Sequence, residues 1–104
     1  MSKPIHILCS ALLGSTLLAG GPAAAEEDTQ VRSWAASCSA CHGTAGASLG
    51  GMPAIAGQDR GKLATLLKEF KNGTRPATVM HQHAKGYTDK ELERLAAYFS
   101  RQRP

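Results

Sequence analysis

The pentapeptide Cys38-Ser39-Ala40-Cys41-His42 constrains this chain more than any other feature. Two thiols stand three positions apart, an imidazole follows the second directly, and the only other cysteine is Cys9. Paired thiols of this spacing serve redox exchange, metal binding or covalent attachment of a prosthetic group. A redox dithiol sits at a helix start beside a βαβ pattern, where the helix terminus lowers the thiolate pKa. No strand pattern is present here, and Cys38 falls near the end of an expected helix. A zinc site needs four ligands, which Cys38, Cys41 and two of His42, His81 and His83 would supply. His81 and His83 are only two apart, closer than the usual spacing of paired zinc histidines.

The first 25 residues, MSKPIHILCSALLGSTLLAGGPAAA, read as a cleavable secretory signal: a basic Lys3, an apolar stretch, and an A-x-A end at Ala23–Ala25. The apolar run is short and broken by glycine, so no stable membrane insertion is expected after cleavage, and the mature domain covers residues 26–104. Export to the periplasm follows, and Cys9 leaves with the signal. The remainder is one small domain, too short to stabilise itself by apolar burial alone. A net charge of +4, carried by 12 basic and 8 acidic residues with no basic run, gives no case for nucleic acid.

Three segments repeat one apolar pattern at i, i+3, i+4, i+7: Val31, Trp34, Ala35, Cys38; Leu63, Leu66, Leu67, Phe70; and Leu92, Leu95, Ala96, Phe99. Nothing alternates at period two, so the fold class is all-α, with the stripes read as packing faces. Asp28 or Thr29 is positioned to cap the first helix, Asp59 the second, and Thr88 with Glu91 forms a capping box for the third. The second helix is expected to stop at Asn72-Gly73. Between the helices lie GTAGASLGGMPAIAGQ and the stretch from Gly73 to Tyr87, both read as irregular. Neither loop can offset its conformational entropy alone, so a bulky, apolar, central partner is required.

A haem meets that requirement. Two thiols three apart add to its two vinyl groups, and the histidine that follows reaches the iron, which is the C-x-x-C-H attachment pattern. Export agrees, because covalent haem attachment in bacteria takes place outside the cytoplasm. His42 is then the proximal ligand, and Met80 is the best candidate for the opposite axial place, since a soft thioether favours ferrous iron and raises the potential. Met52 is a rival thioether and His81 and His83 are rival imidazoles. The Pro53 carbonyl is a plausible acceptor for the second ring N–H of His42.

In CSACHG, MPAIAGQ, a helix ending in FKNG, and VMHQHAKGYTDKELERLAAYFSRQ, the chain resembles class I c-type cytochromes from about Trp34 to Gln102. The resemblance implies three main helices and two loops around one covalently attached haem c. It implies thioether bonds from Cys38 and Cys41, axial ligation by His42 and Met80, and a carbonyl from Pro53 to the proximal histidine. The closing AKGYT, acidic helix and AAYF are especially similar to haem subunits of flavocytochrome c sulfide dehydrogenases. That likeness implies a periplasmic electron acceptor for a sulfide-oxidising flavoprotein, with FAD only in that partner and no enzymatic step in this chain. The alternative is a free shuttle between respiratory complexes, docked through Lys62, Lys68, Lys71 and Lys85. Less expected is a haem sensor or ligand-binding catalyst with a displaceable distal ligand.

Overall fold

The computed structural model describes residues 22–104, with side chains from Thr29 onward. The export segment over residues 1–25 lies outside the described residues except for its last four. Helix α1 spans Pro22–His42, α2 Arg60–Asn72, α3 Met80–Lys85 and α4 Asp89–Ser100. A single 3-10 turn, Thr44–Gly46, follows α1. Among the described residues there is no strand, as expected of an all-α chain.

Helix α1 begins earlier than its expected cap at Asp28 or Thr29. Proline fits the first helical position, where its missing N–H has no partner to lose, and three alanines follow with the strongest helix propensity. The other caps fall where the sequence places them. Asp59 accepts from the Lys62 amide at 2.8 Å, and Gly73 ends α2 in the left-handed region at φ 76°. At α4, Thr88 accepts from the Glu91 amide at 3.2 Å while Glu91 accepts from the Thr88 amide at 2.7 Å. These exchanges satisfy amides that a helix start otherwise leaves unpaired.

Helix α3 is a correction. The stretch from Gly73 to Tyr87 reads as irregular, yet Met80–Lys85 is helical, with Met80 at its first position. Six residues are too few to show a helical period, and Met-His-Gln-His carries no capping side chain at Val79 to announce it.

Helix α4 provides most of the core: Leu92, Leu95, Ala96 and Phe99 are buried against Ala35 of α1 and Leu63 of α2. Leu92 is the largest fully buried side chain. Edge contacts extend this core, with the Trp34 and Tyr87 rings 5.9 Å apart and the Arg94 guanidinium 4.9 Å over Trp34. On the outside, Lys68 pairs with Glu93 and Lys71 with Asp89, which ties α2 to α4. Solvent-screened pairs of this kind contribute little to stability.

The glycine-rich segment after α1 is pinned rather than loose. The Gly46 carbonyl accepts from the amides of Ile55 at 2.8 Å and Ala56 at 3.1 Å, and the Gly57 amide donates to the Phe99 carbonyl at 2.9 Å. The segment therefore folds back on the end of α1 and on α4, which fixes Met52–Gln58 along one side of a cavity.

Candidate cofactor site

That cavity has a volume of about 460 Å³ and draws its walls from every part of the fold. Its size lies within the ~300–1,000 Å³ typical of ligand and cofactor sites. Helix α1 contributes Ser37, Cys38, Cys41 and His42; the pinned segment contributes Met52, Pro53, Ile55 and Gln58. Helix α2 contributes Leu63, Leu66, Leu67 and Phe70, and α3 contributes Met80 and His83. Between the last two, Arg75–Val79 forms a rim.

The spacing of the α1 residues explains why they meet here. Residues i, i+3 and i+4 share one helix face, so Cys38, Cys41 and His42 point the same way. Cys38 is half-buried and Cys41 exposed, both as free thiols. Burial pushes the Cys38 thiol above its ordinary value, against a smaller lowering by its hydrogen bond with Ser37. A thiol so placed is held in its protonated, apolar form.

The Nδ1 atom of His42 lies 2.6 Å from the Pro53 carbonyl oxygen. A carbonyl only accepts, so Nδ1 carries the proton and Nε2 keeps its lone pair for an electrophile. Pro53 has the features that suit a fixed acceptor, because its ring locks φ on one side of the carbonyl.

Met80 opens α3 and lines the same cavity, as does His83 one turn further on. His81 does not line it, and its Nδ1 is buried without a hydrogen-bond partner. Met52 also borders the cavity, but it is 48% exposed. Of the rival groups, the structure therefore brings Met80, Met52 and His83 to the cavity with His42, and leaves His81 outside.

Two of the alternatives for the cysteine pair find no support in this geometry. Among the described residues no three His, Cys, Asp or Glu side chains gather in a way that could hold a metal ion, as a zinc site would require. Cys38 and Cys41 also lie toward the C-terminal end of α1, where the helix dipole disfavours a thiolate. The donor set instead fits a flat, apolar iron macrocycle: two thiols on one wall, an imidazole with its lone pair directed by a carbonyl, a thioether, and aliphatic or aromatic walls.

Sequence periodicity identified the α2 stripe as a packing face, and this is a second correction. Only Leu63 is buried in the core, whereas Leu66, Leu67 and Phe70 remain partly open along the cavity. Periodicity records that a face is apolar and not what covers it. Arg75 carries no sequence signal of its place either. Its Nε donates to Glu69 at 2.9 Å and its guanidinium sits 5.8 Å from the Phe70 ring centre, which places a cation at the cavity rim. Lys68 and Lys71, expected at a docking ring, are instead engaged in the ion pairs to α4.

The family described as cytochrome C oxidase, cbb3-type, subunit III matches residues 25–99. The chain is 49% identical over 63 residues to the cytochrome subunit of sulfide dehydrogenase of Chlorobaculum tepidum, a match covering 61% of this chain and 57% of that protein. It is 36% identical over 86 residues to cytochrome c-554(548) of Halomonas halodenitrificans, covering 79% of this chain and 98% of the relative. Among solved structures, cytochrome c4 of Acidithiobacillus ferrooxidans aligns with a TM-score of 0.58 at 43% identity, over 61% of this chain and 37% of the other. The chain thus spans little more than half of the sulfide dehydrogenase subunit and just over a third of the cytochrome c4 chain.

Proposed function

We propose that this chain, which belongs to the class I c-type cytochromes and to the family described as cytochrome C oxidase, cbb3-type, subunit III, transfers electrons one at a time through a single covalently held haem c. The observation that carries the reading is the convergence of Cys38, Cys41, His42 and Met80 on one cavity from two separate segments. Cys38 and Cys41 would hold the group by thioether bonds. His42 and Met80 would hold its iron, with His42 oriented by Pro53. When bound, haem c supplies a one-electron ferric/ferrous couple.

The chain's own residues set the conditions for that couple. Leu66, Leu67 and Phe70 exclude water from one side of the cavity, which favours the less charged, reduced state. With His42 and Met80 both holding the iron, the group would offer sulfide or oxygen no open position, so the chain would carry electrons without being a catalyst by itself. Mass spectrometry of the exported protein is expected to show one haem added to the polypeptide and cleavage after Ala25. Recovery of haem-free protein from an export-competent host would overturn the reading.

As electron donor we propose a periplasmic flavoprotein that oxidises sulfide, with FAD bound in that partner. Support comes from the 49% identity to a cytochrome subunit of sulfide dehydrogenase. The expected result is haem reduction by sulfide only when the flavoprotein is present, together with co-purification of the two.

A free shuttle is the second reading, and Lys62 and Lys85 favour it. Both are exposed and form no ion pair among the described residues, so they are available to steer an acidic partner. Absence of a stable flavoprotein complex, with oxidation rates that fall steeply as salt rises, would select the shuttle.

A further inference from the structure

The segment Met52–Gln58 ends in a polar side chain to which neither the ligand set nor the core gives a role. Gln58 is half-buried, lines the cavity, and donates through Nε2 to the Ala54 carbonyl. The Ala54–Ile55 peptide is consequently held at both ends: its carbonyl accepts from Gln58, and its N–H donates to the Gly46 carbonyl at 2.8 Å. This is the peptide next to Pro53–Ala54, whose carbonyl faces His42 Nδ1. On the other side, the proline ring fixes φ of Pro53. The direction of the Pro53 carbonyl is therefore bounded by a ring before it and a doubly bonded peptide after it.

We infer that Gln58 is a positioning residue for His42, acting through the Ala54 carbonyl to aim the Pro53 carbonyl at Nδ1. The inference rests on the reading of His42 as the proximal ligand. A carbonyl held on Nδ1–H raises the basicity of the imidazole and favours ferric iron. Loss of the Gln58 donor lets the Ala54 peptide rotate and lengthens the His42–Pro53 bond. The imidazole then donates less electron density, and the reduction potential moves upward.

The test uses the haem-loaded protein as exported, with Gln58→Leu, which keeps the volume and removes the donor, and Gln58→Glu, which also keeps the volume. Proton exchange at His42 Nδ1 is read by nitrogen-15 NMR in the reduced state, and the potential by redox titration. Gln58→Leu is expected to speed exchange by roughly two- to tenfold, the range for loss of one neutral hydrogen bond, and to raise the potential. Gln58→Glu places a carboxylate against the Ala54 carbonyl and is expected to speed exchange as the leucine variant does, while its negative charge at the cavity favours ferric iron and opposes the rise in potential; its exchange rate carries the test if the leucine variant does not fold. Asp59→Ala, which removes the adjacent α2 cap, is expected to lower the melting temperature and leave both readings in place. Equal changes in the Asp59 and Gln58 variants would reduce Gln58 to loop stabilisation and overturn the inference. So would a shifted potential with unchanged Nδ1 exchange, which would mean that Gln58 acts on the cofactor directly. If the wild-type His42 ring protons lack the upfield shifts of an iron ligand, the ligand reading itself fails, an outcome distinct from either.

Discussion

Gly46 and Phe99 are in such close contact that a Cβ on the glycine would lie 2.8 Å from the Phe99 ring, and 2.6 Å from Ile55 as well. Gly46 also adopts φ +80°, a region costly for any residue with a side chain. The two constraints coincide where the 3-10 turn meets α4 and where the Gly46 carbonyl anchors Ile55 and Ala56.

Gly46→Ala is therefore expected to destabilise the haem-loaded protein by about 2–4 kcal/mol, from overpacking together with left-handed backbone strain. Guanidinium unfolding followed by haem absorption and by far-ultraviolet circular dichroism measures it. The same change at Gly50, where a Cβ meets nothing within 4 Å, is expected to leave stability within about 0.5 kcal/mol.

Met80 and its rivals separate by spectrum. Met80→Ala is expected to abolish the red-end absorption band of methionine-ligated ferric haem, to lower the reduction potential, and to admit carbon monoxide to the reduced protein. Met52→Ala is expected to keep the band, since Met52 is 48% exposed at the cavity edge. His83 lies one turn from Met80 on the same cavity wall, so His83→Ala in the Met80→Ala background is expected to increase carbon monoxide binding further. Unchanged binding there would show that His83 does not compete for the iron.

Much of the fold is legible in the residues because three helices repeat one apolar spacing and two of them carry unambiguous caps. Asp59, Gly73 and the Thr88–Glu91 pair fall where local chemistry demands them. Helix α3 is not legible, because one and a half turns offer no period and Val79 offers no cap. At the candidate site, the spacing of Cys38, Cys41 and His42 singles them out directly, and Pro53 and Met80 follow only from the demands of the proposed iron at His42. Leu66, Leu67 and Phe70 look like core because a cofactor-facing stripe and a protein-facing stripe have the same periodicity. Gln58 was hidden for a different reason: its role passes through backbone groups, which the sequence does not display.

The α2–α4 ion pairs predict a pH dependence. Hydrogen bonding to Lys71, with its charge, lowers the Asp89 carboxyl below its ordinary value of 3.8. A depressed acid stabilises the fold above its unfolded pKa and ceases to do so as pH falls through the folded one. Asp89→Asn is therefore expected to melt earlier than wild type at neutral pH, with the two curves converging as pH falls through the depressed folded value, below 3.8. At the other extreme, the hydrogen bond that Lys68 donates to Glu93 raises the lysine's pKa, and its stabilising effect is present below the unfolded pKa and lost as pH rises through the folded one. Because both groups are exposed, about 1 M salt should shrink either difference. Thermal melts across pH at two salt concentrations provide the measurement.

Removal of the cofactor is expected to remove most of the structure. Among the described residues the buried apolar core comprises only nine, four of them alanines, and the α2 face of Leu66, Leu67 and Phe70 is only partly buried, along the cavity. Exposing that face to water costs roughly 25 cal/mol per Å², while the ion pairs between α2 and α4 contribute little in return. The replacement Cys38→Ala/Cys41→Ala eliminates both attachment points and leaves His42, Pro53 and every helix cap intact. Expressed without haem, this variant is expected to lose most of its far-ultraviolet helical signal and to show no cooperative urea transition. A cooperative transition with near-native helix content would show that the polypeptide closes its own core. The cavity would then be a binding pocket in a finished fold, and the two loops would not need the group they surround.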